Sequence, residues 1–465
     1  MTKRLQVLAP FDNHVITELD LHNESQVEEA LKQADRLAQH YDEALPATER
    51  IAILDKTANL VEAKAEVFAR QAAEEGGKPL VDSRVELDRA VQGIREATRS
   101  ISQMVGREIP MNLTDSSRNR MAFTIREPIG LVVAISAFNH PFNLIVHQVI
   151  PAIAVGCPVI VKPALSTPIS CLNLVKCLYE AGLPKHWCKV ILSENVVAEK
   201  LVTDSRVSLF SFIGSARVGW SLRSKLAPGT RCILEHGGAA PVIMDATADI
   251  QDALPLLAKG GYYHAGQVCV SVQRIFVHES IVHDVATGLT KLAEKMVIGN
   301  PEDEATEVGP LILEREVNRV SQWVKEAQTA GGIIQTGGKK INNTCYAPTV
   351  ILNPPEDAKV STEEIFGPVI NVYSYQDRLE SIEKANQVPF SFQAAVFTKD
   401  VNIALDTAKR LNAAAVMVND HTAFRVDWMP FAGRRSSGLG VGGIGPTMKE
   451  MTEEKMIVFR SLGHL

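Results

Sequence analysis

No C-x-x-C pair occurs among the seven cysteines of this 465-residue chain, which stand at positions 157, 171, 177, 188, 232, 269 and 345. An odd, scattered set of thiols argues against a zinc site and against a disulfide framework, so no metal is expected and a reducing compartment fits. Long apolar runs are also missing. The longest, VIPAIAVGCPVIV at 149–161, is shorter than a membrane span and is broken by two prolines and a glycine. The N-terminal MTKRLQVLAPFDN meets Pro10 and Asp12 after only a few apolar residues, too few for a secretory segment, so a cytoplasmic location is expected. Nor is there an excess of positive charge: 48 Lys and Arg against 54 Asp and Glu give a net charge of −6. That balance offers no footprint for nucleic acid or an anionic membrane, and fits a small-molecule enzyme.

What is present is an ordinary globular composition, 46% hydrophobic and 22% charged. The length exceeds one compact core, so two or three domains are expected. From about 25 to 105, apolar residues recur at three- and four-residue spacing, which predicts helices interrupted at Gly76, Gly77 and Pro79, the last of them over 84–103. After residue 125 the rhythm changes. IGLVVAIS, VIVK, VILS, VSLFSF and RCILE read as buried strands separated by helix-length stretches, the pattern of βαβ units on a parallel sheet. Ligands then belong at the carboxyl ends of the strands. A second alternation runs through APVIM (240–244), VSVQRIFV, a helix over about 281–297 and AAVFT (394–398), predicting a second α/β domain. The polar NLTDSSRNRMAFTIRE before the first strand reads as a protruding β-ribbon.

Three stretches bear on chemistry. GVGGIG at 440–445 satisfies G-x-G-x-x-G, but about twenty residues follow it, too few for a βαβ unit, so it reads as a flexible C-terminal turn. FSFIGSARVGW at 210–220 runs a strand into Gly214, with Ser215 placed to cap a helix whose free N–H groups suit an anion. HAGQVCV at 264–270 presents Cys269 between valines, either a nucleophile or a small buried side chain.

The last two of these stretches, through FIGSARVG (212–219) and GQVC (266–269), with AFNHPFN (137–143), VKPALSTP (161–168), LEHGGAAP (234–241), EEIFGPV (363–369) and PFAGRRSSGLG (430–440), resemble the aldehyde dehydrogenase superfamily, in family order over nearly the whole chain. The resemblance implies a Rossmann-type cofactor domain, an α/β catalytic domain and a small β oligomerisation element. It places them at 1–112 with 127–234, at 235–437, and at 113–126 with 438–465. It also implies that Cys269 is the nucleophile, Glu235 the general base, and Asn139 an oxyanion donor together with the Cys269 backbone N–H. Lys162 would contact the adenosine ribose, Gly214 and Ser215 the pyrophosphate, Glu364 the nicotinamide ribose and Phe366 the nicotinamide ring. Leu165 stands where NAD-preferring members commonly carry an acid, so a 2′-phosphate is not repelled and either NAD or NADP is expected as cofactor.

For the substrate, members that take anionic aldehydes gather arginines around their tunnel. Arg89 and Arg425 match two of three such positions, while Val268 precedes Cys269. A short aldehyde bearing a phosphonate, sulfonate, carboxylate or phosphate follows, with His140 and His147 lining a polar pocket. The competing reaction releases the thioester to coenzyme A, as in acylating semialdehyde dehydrogenases, but those generally lack the glutamate matched by Glu235. A fold kept only for binding would have lost the cysteine, asparagine or glutamate, and all three are here. The MIVF strand at 456–459 is a poor edge to leave unpaired, so a homodimer or homotetramer is expected.

Overall fold

The computed structural model describes residues 3–40 and 43–460. Residues 461–465 of the expected oligomerisation element, and 41–42 in the first helical stretch, lie outside the described residues. Two large sheets organise the rest. The first has six strands in the order Gly438–Leu439, Arg231–Glu235, Leu209–Ile213, Val132–Ile135, Val159–Lys162 and Cys188–Val190, all parallel except the first. The second has seven, in the order Ile333–Thr336, Thr349–Leu352, Val369–Tyr375, Val272–His278, Ala240–Met244, Gln393–Phe397 and Ala415–Val418. Only its first strand is antiparallel. Strands buried on both faces read as continuous apolar runs, which is why VIVK and APVIM were legible.

Helices cover both faces of the first sheet. Asn143–Val155 is buried at every position, so it is apolar all round rather than striped. Leu80–Ser100 packs on it through Leu87, Ala90 and Ile94, each at most 1% exposed. The first helix, Glu24–Gln39, starts at a capping box between Asn23 and Gln26.

Three local readings change. The strand expected at VILS lies earlier, at Cys188–Val190, because the backbone of Ile191 onward turns away after bonding Val161. An N-terminal hairpin pairs Arg4–Leu8 with Val15–Asp20, which the sequence patterning did not single out. GVGGIG is not a free turn. Gly442 exchanges backbone hydrogen bonds with Phe431 at 2.7 and 2.9 Å, and Gly443 starts the helix Ile444–Glu450. The fully buried Ile444, Met448 and Met451 then join the core of the first sheet.

The polar ribbon exists as a three-stranded antiparallel sheet in which Arg120–Pro128 lies between Glu108–Ile109 and Thr452–Arg460. Among the described residues no helix is long and apolar enough to cross a membrane.

Candidate active site

A cavity of about 930 Å³ opens where the carboxyl ends of the first sheet face the loops of the second. Among the residues singled out from sequence, Arg89, Asn139, His140, His147, Gly214, Ser215, Glu235, Cys269, Glu364, Phe366 and Arg425 all line it. Lys162 does not. It ends its strand, 6% exposed, while Ala164 and Ser166 just beyond it reach the cavity wall.

Cys269 follows a loop with unusual backbone. His264, Ala265 and Gly266 hold φ of +48°, +54° and +72°, left-handed values that strain the first two. Gly266 is required there, since a Cβ would fall 2.1 Å from the Gly367 carbonyl oxygen. Gln267, 1% exposed, pins the loop: its Oε1 accepts from Ile312 N at 2.9 Å and its Nε2 donates to the Pro310 carbonyl at 3.2 Å. Asn139, 4% exposed, donates one amide hydrogen to the Gln267 carbonyl at 2.9 Å. Its second N–H stays available, so the amide is oriented by the same loop that carries Cys269.

Glu235 ends its strand where Gly237 and Gly238 stop it, and Gly438 pairs opposite it from the returning C-terminal segment. Burial pushes its carboxyl pKa above the ordinary range, and the neighbouring Arg425 charge opposes that. The Cys269 thiol is also pushed well up by burial, then by the Glu235 charge, with Arg425 again opposing. The resting cysteine is therefore a thiol beside a carboxylate of raised basicity.

On the cofactor side, Ser215 occupies the N-cap position of the helix Ala216–Arg223, but its hydroxyl makes no cap bond, contrary to the capping expected from sequence. The helix thus keeps its first N–H groups free for an anion. Glu364 has a buried Oε1 with no protein partner, and burial raises its carboxyl to about 8, opposed by Arg319. The carboxylate nests against Gly237, where a Cβ would lie 1.5 Å from Oε1. Such an orphaned acceptor fits the hydroxyls of a ribose. Phe366, at φ +48°, meets Phe138 edge-on at 5.8 Å. Burial alone draws the Lys162 ammonium down to about 8, and no carboxylate pairs with it among the described residues. These residues fit a nicotinamide dinucleotide.

At the other end, the two arginines are not alike. Arg89 is held by Asp427, Nε to Oδ2 at 3.2 Å and Nη2 to Oδ1 at 2.9 Å. Asp427, 1% exposed, also accepts from Asn143 Nδ2 at 3.1 Å and His147 Nε2 at 2.7 Å. Although burial pushes upward, the His147 hydrogen bond and the surrounding cations hold its carboxyl far below the ordinary range. His147 is neutral, brought to about 4 by burial and then by Arg425. Arg425 stacks over Phe431, 3.5 Å from the ring centroid, and its Nη2 donates to His147 Nδ1 at 3.4 Å. No carboxylate pairs with it among the described residues, and its buried Nε has no partner. Arg425 therefore presents a guanidinium without an ion pair to this end of the cavity.

Sequence patterning gave no sign of Asp427, nor of the buried pair Lys78 and Glu86 behind His140, because an isolated charged residue reads as surface. Among the described residues, no cluster of three or more His, Cys, Asp or Glu is placed to hold a metal ion.

The aldehyde dehydrogenase family model matches residues 1–457. A 3-sulfolactaldehyde dehydrogenase from Priestia megaterium is 38% identical over 459 residues, covering 98% of this chain and 95% of that protein. Aldehyde dehydrogenase 21 from Physcomitrella patens, solved with its product succinate, superposes with a TM-score of 0.96 at 33% identity, covering 100% of this chain and 96% of that one. A glyceraldehyde-3-phosphate dehydrogenase from Methanocaldococcus jannaschii, solved with NADP, gives 0.94 at 33% identity, covering 99% of this chain and 100% of that one. With a family match across almost its whole length and one cavity lined by the cysteine, glutamate and asparagine of its motifs, the chain belongs to the aldehyde dehydrogenase family.

Proposed function

We propose that this NAD(P)-dependent aldehyde dehydrogenase oxidises a short anionic aldehyde to its carboxylic acid, with Cys269 as nucleophile and Glu235 as base. The observation that carries this reading is the placement of Cys269, Glu235, Asn139 and the unpaired Arg425 around one cavity.

The steps follow from the groups present. The Cys269 thiol loses its proton to the neighbouring Glu235 as sulfur attacks the aldehyde carbon. The oxyanion that forms takes the free Asn139 N–H and the Cys269 backbone N–H, donors fixed before reaction and so needing no reorganisation. A nicotinamide cofactor held by Glu364 and Phe366 would supply the hydride acceptor, so that loss of hydride from the tetrahedral carbon leaves Cys269 carrying a thioester. Glu235 then releases the thiol proton to solvent and, as carboxylate again, takes a proton from the water that attacks the thioester; the acid leaves and Glu235 returns that proton to the Cys269 sulfur. A pKa raised by burial makes Glu235 the stronger base for that step. Since water ends the cycle, coenzyme A is not needed, and the acylating alternative is disfavoured.

Lys162, Gly214 and Ser215, on the 1–112 and 127–234 part of the chain, would hold the cofactor in this reading, together with Glu364 and Phe366 from the 235–437 part. Arg425 meets the substrate anion bidentately, with His140 and Arg89 beside it. The relatives support an anion: one is named for a sulfonate aldehyde, one for a phosphate aldehyde, and one was solved with succinate. The first two named substrates also carry a hydroxyl next to the aldehyde carbon. The strand Thr452–Arg460 uses one edge on Arg120–Pro128 and exposes Met456, Val458 and Phe459, at 57%, 46% and 51%. A second copy covers that surface in a homodimer or homotetramer of a cytoplasmic enzyme.

The test is absorbance of the reduced nicotinamide with NAD and NADP, each against anionic and neutral short aldehydes. Reduction without coenzyme A, fastest with anionic aldehydes and lost in Cys269→Ala, supports the reading. Reduction only with coenzyme A present contradicts it.

A further inference from the structure

Behind the substrate end of the cavity lies a buried ion pair that the reaction steps do not use. Lys78 and Glu86 are 0% and 1% exposed and in direct contact. Burying two such charges is costly unless every lone pair and proton is used. Glu86 is used fully: Oε1 accepts from the backbone N–H groups of Phe142 and Asn143, both at 2.9 Å, at the start of the helix Asn143–Val155. Lys78 spends a second proton elsewhere. Its Nζ lies 2.7 Å from His140 Nδ1, and its charge sits 5.9 Å from the Tyr263 ring centroid.

An ammonium has donors only, so at that distance Nδ1 of His140 must be the acceptor. The ring proton is then on Nε2. The imidazole is further fixed by stacking on Tyr263, with centroids 5.8 Å apart and planes 25° apart. His140 follows Asn139 directly and lines the cavity, and its Nε2 has no protein partner among the described residues. Burial and then the Lys78 charge drive its pKa well below the ordinary value, so the ring stays neutral.

We infer that Lys78 is a positioning residue that locks His140 in the Nε2–H tautomer, and that this N–H reads an acceptor oxygen on the carbon next to the aldehyde. The substrate class is thus a 2-hydroxyaldehyde, which deepens the anionic-aldehyde reading and rests on it. An unsubstituted aldehyde leaves the Nε2–H unpaired, and a site built to bond a hydroxyl discriminates against the analogue lacking it.

Two measurements decide this. The first uses solid-state 15N NMR of histidine-labelled enzyme, with the His140 signals assigned by their loss in His140→Gln. The inference expects a protonated Nε2 and an unprotonated Nδ1; a proton on Nδ1 overturns it whatever aldehyde the enzyme prefers. The second compares kcat/KM for 2-hydroxypropanal and propanal. His140→Phe, which keeps the stack but has no donor, should cut the ratio by about fivefold. His140→Gln, with an amide N–H near the Nε2 position, should recover part of it. Lys78→Met leaves Glu86 buried and unpaired, so the double change Lys78→Met with Glu86→Gln is used instead, and it should lower the ratio while scrambling the tautomer. An unchanged ratio in His140→Phe contradicts the role in recognition. Failure of the wild type to oxidise these two aldehydes and every anionic short aldehyde offered contradicts the underlying function and leaves the tautomer measurement to decide the role of Lys78.

Discussion

Replacing Arg425 by Met removes a cavity-lining cation that forms no ion pair among the described residues, and its effect can be sized from its surroundings. The guanidinium stacks on Phe431 and is braced by His147, whose other nitrogen is bonded to Asp427. Two unit charges about 4 Å apart attract by roughly 4 kcal/mol at an effective dielectric constant near 20. Desolvation of the substrate anion offsets part of that, and hydrogen bonds to charged groups net about 1.5–3 kcal/mol. A loss of about 2–3 kcal/mol corresponds to roughly 30- to 150-fold in kcat/KM for anionic aldehydes. Propanal, with no anion, should lose far less, so the ratio of the two is the readout. A second effect has a definite sign. Arg425 holds the Glu235 carboxyl down against burial, so without it that pKa rises and the acid limb of thioester hydrolysis moves to higher pH. Nicotinamide absorbance across pH measures both. An unchanged anionic-to-neutral ratio, or a limb displaced to lower pH, refutes the placement of Arg425 beside both substrate and base.

Other perturbations separate the remaining parts of the site. Glu364→Gln should weaken cofactor binding by about tenfold in a fluorescence titration, since one of the two oxygens available to the ribose hydroxyls becomes an N–H donor; Gly237→Ala should do the same by driving the Glu364 carboxyl from its nest. Leu165→Asp places a carboxylate within the segment that follows Lys162, and should lower kcat/KM with NADP by at least tenfold while sparing NAD. Met448→Ala, at a fully buried position, should cost about 2–5 kcal/mol and lower the thermal midpoint, because the C-terminal helix belongs to the first core.

Much of the site was legible because its residues sit where regular patterns end. Asn139, Lys162, Gly214 and Glu235 each follow or close a β-branched strand of the first sheet, and the carboxyl ends of parallel strands are where such a fold places ligands. Cys269, Glu364 and Arg425 come from loops beside the second sheet, which no periodicity marks; the family resemblance pointed to them. What escaped notice shares one cause. Asp427, Lys78 and Glu86 are charged residues made internal by partners 280, 62 and 56 residues away in sequence, so nothing local distinguishes them from a solvated surface. GVGGIG misled for the related reason that its order comes from Phe431 and from the core beneath it rather than from its own composition.

The central claim, that Cys269 carries the acyl group and Glu235 delivers the water that removes it, is met most directly by rapid quench and intact mass of Glu235→Gln with cofactor and an anionic aldehyde, no coenzyme A present. The account expects a burst of reduced nicotinamide, an acyl adduct mapped to Cys269 and slow release of acid. A variant that turns over at the wild-type rate without any adduct on Cys269 would contradict it.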